Sequence, residues 1–179
     1  KFIHKYHYPI YIISGIIALV LSGQEANIVT LGYVPLSFMI IVMYTSVFQR
    51  GFIKKRLMTV RAENAIIGII FLLPHAIGFL EFYLESSNLF DSFVPLLGLC
   101  AFILSIPLFI TSFKFIRKKF NYLQWKSIHR LAYAFYLLLF AHLAFINNDR
   151  LVFYILLFGM YFILKYFDIH KANKKPSKI

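Results

Sequence analysis

Six apolar runs, each long enough or nearly long enough to cross a bilayer, take up most of this 179-residue chain. They fall at roughly 8–22, 30–48, 64–84, 93–113, 130–147 and 151–167, with short charged segments between them. At 60% hydrophobic residues, the chain has more apolar surface than one small water-soluble domain can hide. Inside hydrocarbon each segment must pair its own backbone groups, so these runs read as helices. Short loops make consecutive helices antiparallel. The expected fold is all-α, a polytopic bundle of six transmembrane helices. The first run is short, and Tyr6, Tyr8 and Tyr11 are expected to bring it to the membrane interface.

Charge sets the expected topology. Of nineteen Lys and Arg, eighteen fall at the N-terminus, in the loops 49–63 and 114–130, or in the tail from Lys165 onward; only Arg150 lies on the other side. The opposite loops carry Glu25, Glu81, Glu85, Asp91 and Asp149. Under the positive-inside rule this alternation puts both termini in the cytoplasm. The formal net charge of +12 is then a topology signal, suited to anionic lipid headgroups; the basic residues are clusters flanking spans, which argues against nucleic acid as a partner.

A lone cysteine, Cys100, allows neither an intrachain disulfide nor a Cys-based metal site. The first apolar run lacks a small-residue cleavage pattern, so no cleavable signal peptide is expected. The chain starts at Lys1 and not at Met, which fits a fragment or processed product with a further domain after Ile179 left open. Residues 171–179, with Lys174, Lys175 and Pro176, read as a solvated tail or linker.

Histidines carry the candidate chemistry. His75 is about eleven residues into the third run and His142 about twelve into the fifth, so at ~1.5 Å per residue both sit roughly 16–18 Å above the basic boundary. Runs three and five point the same way, so the two imidazoles can meet at one level. Ionisable groups at that depth are costly and usually functional. Two neutral imidazoles on opposite faces of one iron would make a bis-His b-type haem site. The bland alternative is interhelical hydrogen bonding by each ring. Zinc is disfavoured, since no Cys or carboxylate lies at this depth. His129 stands at the basic end of the fifth run. Thirteen residues before His142, it is about 140° around an ideal helix from it and reads either as an interfacial ring among headgroups and basic residues or as part of a separate site: an inner haem, a haem propionate or a flavin. His4, His7 and His170 read as interfacial. Pro74 precedes His75, and a kink there would open room for a planar ligand.

The stretch Leu123-Gln-Trp125-Lys-Ser-Ile-His129-Arg130-Leu131-Ala-Tyr133, followed by Phe140-Ala-His142-Leu143, resembles the fifth-helix signature of the ferric-reductase-like transmembrane superfamily. Arg61-Ala-Glu-Asn-Ala-Ile-Ile-Gly68 through Leu73-Pro-His75 is similar to its third helix, and Thr111-Ser112 falls near the end of its fourth. That superfamily includes NADPH oxidases, ferric reductases and the haem membrane subunit of the bacterial periplasmic methionine-sulfoxide reductase system. The resemblance covers residues 60–145. It implies that residues 1–170 form a haem domain, with His75 and His142 as axial iron ligands. Members of the oxidase type carry a second histidine fourteen residues before the first; here that position is Arg61, so the pattern looks more like the methionine-sulfoxide reductase subunit. One haem b is implied, and a second through His129 is left open.

The resemblance implies an oxidoreductase component in a bacterial cell membrane that passes electrons outward to an acceptor on the outer side. No Gly-rich dinucleotide fingerprint follows a strand anywhere. The NAD(P)H-linked donor is therefore expected to be a separate cytoplasmic flavoprotein or a fused C-terminal flavin domain, with FMN or FAD there or at the cytoplasmic mouth. Arg61, Arg130, Lys126 and the segment 114–119 would form that cationic mouth. Two rival classes are a small transporter or channel and a noncatalytic assembly subunit. The first lacks acidic residues within the span interiors and an inverted repeat; the second leaves His75 and His142 unexplained.

Overall fold

A computed structural model describes residues 5–23, 29–47, 52–85 and 93–173. His4, Glu25, Asp91 and the tail residues 174–179 lie outside the described residues. The described chain is helical, in the order α1 (His7–Ser22), α2 (Tyr33–Thr45), α3 (Phe52–Thr59), α4 (Arg61–Glu85), α5 (Phe93–Ile110), α6 (Lys114–Arg117), α7 (Tyr122–His129), α8 (Leu131–Ile146) and α9 (Leu151–Asn173), with a 3-10 turn at Asn148–Arg150 before α9.

Among the described residues four segments are long and apolar enough to cross a membrane: Arg61–Phe82, Phe93–Ile110, Tyr122–Ile146 and Asn148–Asp168. The first two expected spans are shorter helices of 16 and 13 residues. At ~1.5 Å per residue α2 is only about 20 Å long, less than a hydrocarbon core. Its missing length has a local cause. Gly32 adopts φ +80°, a left-handed conformation that suits glycine, and the chain from Val29 to Gly32 turns instead of entering the helix. The Gly32 N–H donates to the Val29 carbonyl at 2.9 Å to close that turn.

The fifth expected span is two helices in line. Arg130 separates α7 from α8, and its N–H is shared between the carbonyls of Lys126 (3.2 Å) and Ser127 (3.1 Å). A capping box starts α7: the Asn121 side chain accepts from the Gln124 N–H at 2.9 Å, and the Gln124 side chain accepts from the Asn121 N–H at 3.1 Å. This fixes where Trp125 and His129 fall. Pro74 lies inside α4, whose helix continues on both sides of it. At the other end of the chain, α9 runs on to Asn173, past the end expected at 167.

In the packing, α5 lies along α8, and α4 lies against both α1 and α2 and touches α5; α9 packs on α8. Met39, Met43, Ile69, Ala101, Phe135, Tyr136, Phe158 and Tyr161 form the shared core. Small residues permit close approach, as they do between helices in lipid. A Cβ on Gly68 of α4 would come 2.9 Å from Cβ of Phe38 on α2. Polar groups inside the bundle find internal partners: the Tyr44 hydroxyl donates to the Leu157 carbonyl at 2.7 Å, tying α2 to α9. Outward faces are apolar, including Ile12, Ile16 and Leu19 on α1 and Val152, Leu156 and Ile163 on α9. Water would penalise such faces, whereas lipid does not.

The helices gather the loops at two ends. Met58, Arg61, Ser112, Arg117 and Trp125 meet around one cavity, so the two internal basic segments converge at one end. Tyr11 packs edge-on against Phe113 with ring centroids 6.1 Å apart, which brings the start of α1 toward the same end. Arg150 lies beside Tyr33, 5.7 Å from the ring centroid, at the opposite end with Gly32 and Asn147.

Candidate functional site: two cavities and three histidines

His75 on α4 and His142 on α8 line one cavity, together with Gly32, Pro35, Gly98, Phe135 and Leu139. Residues 67 apart in sequence thus meet as their matched depth predicts. Each ring is held the same way. His75 Nδ1 lies 2.8 Å from the Thr30 carbonyl, and His142 Nδ1 lies 3.0 Å from the Val94 carbonyl. A carbonyl can only accept, so in both rings Nδ1 carries the proton and Nε2 keeps its lone pair. A histidine that donates one ring N–H to a carbonyl is oriented, and tautomerically fixed, for metal ligation through the other nitrogen.

Glycines make room for both rings. A Cβ on Gly32 would lie 3.1 Å from His75 Nδ1, and one on Gly98 would lie 2.6 Å from His142 Cε1. The turn at Gly32 also carries Thr30, so one left-handed residue both spares the His75 ring a clash and brings up the carbonyl that orients it. These features are invisible in the spacing of the histidines, although the glycines themselves are plain in the sequence.

A second cavity lies toward the basic end. Arg61, Thr111, Ser112, Arg117, Trp125, His129 and Tyr136 line it, and Met39 and Phe135 are common to both cavities. His129 is engaged differently from the other two. Its Nε2 is 3.1 Å from Thr111 Oγ1, whose own proton goes to the Pro107 carbonyl at 2.6 Å. With that proton on the Pro107 carbonyl, the hydroxyl accepts and Nε2 of His129 donates. The ring also lies against Trp125, tilted by 34° with centroids 4.2 Å apart, and the Arg117 guanidinium covers the indole at 4.6 Å.

The remaining candidates separate. Arg61 faces the inner cavity with His129, whereas Arg130 is exposed and lines neither cavity. Lys126 is exposed, 5.8 Å from the Tyr122 ring centroid. Half-buried His7 rests on Tyr8, and exposed His170 stacks on Tyr166; neither lines a cavity. Among the described residues no three His, Cys, Asp or Glu cluster as a metal site. Sequence reasoning placed Arg117 only within a basic run; its seat over Trp125 needs the turn between α6 and α7.

A protein of Treponema pallidum (strain Nichols), named only as an uncharacterized protein, is 37% identical over 112 residues, or 59% of this chain and 31% of that protein. The matched part thus spans less than a third of that relative's length. No solved structure matches the chain. Residues 26–140 match the family of the ferric reductase like transmembrane component. That stretch is well over half of the chain and contains His75, His129 and most of both cavities, and by it the protein belongs to the ferric reductase-like transmembrane family.

Proposed function

We propose that this protein is a b-type haem electron carrier of the membrane, with one haem between His75 and His142. The observation that carries the reading is the shared posture of the two imidazoles: each Nδ1–H is committed to a carbonyl, and both rings line one cavity. The donor set fits a bis-imidazole haem, and Gly32 and Gly98 leave the rings space that a Cβ would fill. When bound, a haem supplies one-electron redox chemistry at its iron. The chain's contribution is to fix both tautomers, hold the rings at one level and line the cavity with apolar side chains that exclude water.

In this reading residues 1–170 form a bundle of six membrane crossings, with residues 171–179 a cytoplasmic tail. The α1 and α2 segments cross with help from the turns beside them. The basic end, with Arg61 and Arg117, faces the cytoplasm under the positive-inside rule, and both termini lie there. Electrons enter at that end from a flavoprotein that uses NAD(P)H, either separate or fused beyond residue 179, and leave at the end marked by Arg150 for an acceptor outside a bacterial cell membrane. Phe135 and Met39, which line both cavities, stand between the two ends of this route. Membership of a ferric reductase-like family supports the electron-transfer role.

The test is a visible spectrum of protein purified in detergent from haem-replete cells. A low-spin b-type spectrum that sharpens on reduction is expected, with about one haem per chain. A folded but colourless preparation would refute the proposal.

A further inference from the structure

The inner cavity has a chemistry of its own, independent of whether a haem fills the outer one. Arg61 and Arg117 reach it from different elements, α4 and α6, and line it together with His129. Among the described residues neither makes an ion pair. The acid nearest in sequence, Glu63, is buried beside Tyr11 and does not line the cavity. Trp125 lines the same cavity, and its Nε1–H is buried without an acceptor. A buried donor left unpaired is uncommon and calls for a partner. The neighbouring hydroxyls cannot act as donors to a ligand without giving up bonds, since Thr111 donates to Pro107 at 2.6 Å and Ser112 to Leu108 at 2.7 Å. The uncommitted donors around the cavity are therefore two cations and one neutral N–H.

We propose that Arg61, Arg117 and the indole N–H of Trp125 form a phosphate-binding site in the inner cavity. Like charges drawn to one cavity repel each other, and an anion between them reverses the sign of that interaction. The shape of the donor set selects the anion. One guanidinium fork already saturates a planar carboxylate, whereas donors arriving from three elements suit an oxyanion with oxygens in several directions. The place in the fold offers two sources of such a group: the phosphodiester of an anionic lipid at the membrane boundary, or the phosphate of a soluble metabolite entering from the basic end.

Trp125 is the single tryptophan of the chain, so its fluorescence reports on the site directly. Detergent-purified protein is titrated at constant ionic strength with inorganic phosphate and, separately, with short-chain phosphatidylglycerol. At least one probe is expected to give a saturable change. Saturation by phosphate alone assigns the site to soluble phosphates, and saturation by the lipid alone assigns it to headgroups. R61Q and R117Q should each weaken binding about tenfold or more, the scale of one charge-assisted hydrogen bond. W125F, followed by calorimetry, should weaken it less. Lys55→Gln is the control for general surface charge, because Lys55 is exposed and lines neither cavity. Arg117 is itself exposed, so R117Q tests the site even if R61Q fails to fold. The proposal is overturned if neither probe saturates, if R117Q binds like the unmodified protein, or if Lys55→Gln weakens binding as much as R117Q. Haem content is read from the same samples, so failure of this site and failure of the haem reading are told apart.

Discussion

Gly98 packs so closely on His142 that a Cβ at position 98 would lie 2.6 Å from the imidazole Cε1 and 2.9 Å from Nδ1. The contact falls where α5 and α8 run together and where the Val94 carbonyl receives the ring's N–H at 3.0 Å. One turn of α5 thus both orients His142 and limits the space around it.

Gly98→Ala should therefore push the His142 ring off its carbonyl and lower haem content severalfold, measured as haem absorbance per protein. Gly78→Ala is the matched control, since nothing lies within 4 Å of a Cβ there. It should leave the spectrum unchanged and, as a helix-interior Gly→Ala change, raise stability by about 0.5–1 kcal/mol.

Removing either ring of the proposed ligand pair should have a stronger effect. His75→Ala and His142→Ala are each expected to abolish the low-spin spectrum, because one remaining imidazole leaves iron five-coordinate. His170→Ala, with its ring on Tyr166 at the far end of α9, should leave it unaltered. Identical spectra from all three variants would remove these two histidines as ligands.

Gly32→Ala combines two costs. The backbone must hold φ +80°, and the new Cβ would meet His75 Nδ1 at 3.1 Å. The conformational part alone is about 1–2 kcal/mol. Thermal unfolding should fall, and haem retention should fall with it, because Thr30 is carried by the same turn.

His129→Ala and Thr111→Val both break the inner hydrogen bond, while the outer ligand pair keeps its carbonyl partners. Both variants should keep about one haem per chain by pyridine-haemochrome assay. Reduction from the basic side should slow in His129→Ala. Loss of half the haem from a two-haem protein would instead make His129 an iron ligand.

Tyr44→Phe tests the tertiary hydrogen bond from α2 to the Leu157 carbonyl. Its loss should cost about 1 kcal/mol, read as a lower thermal midpoint with the haem spectrum intact.

Much of this protein was legible in order along the chain. Apolar runs of sufficient length, in a chain that must pair its backbone groups internally, require helices; charge clusters between the runs set which ends belong together. The depth of His75 and His142 follows from helical rise and needs no tertiary information, so their meeting in one cavity was readable. Tertiary structure alone decided what each nitrogen does. Nδ1 of His75 and of His142 is claimed by carbonyls 45 and 48 residues away, and Nε2 of His129 by a hydroxyl 18 residues away. Spacing cannot reveal such bonds, because they depend on where a turn or a neighbouring helix places one carbonyl to within a few tenths of an ångström. The shortness of α2 was hidden for the same reason. Hydropathy counts residues 30–32 as span, but the chain from Val29 to the left-handed Gly32 turns there, where the Thr30 carbonyl is needed by His75.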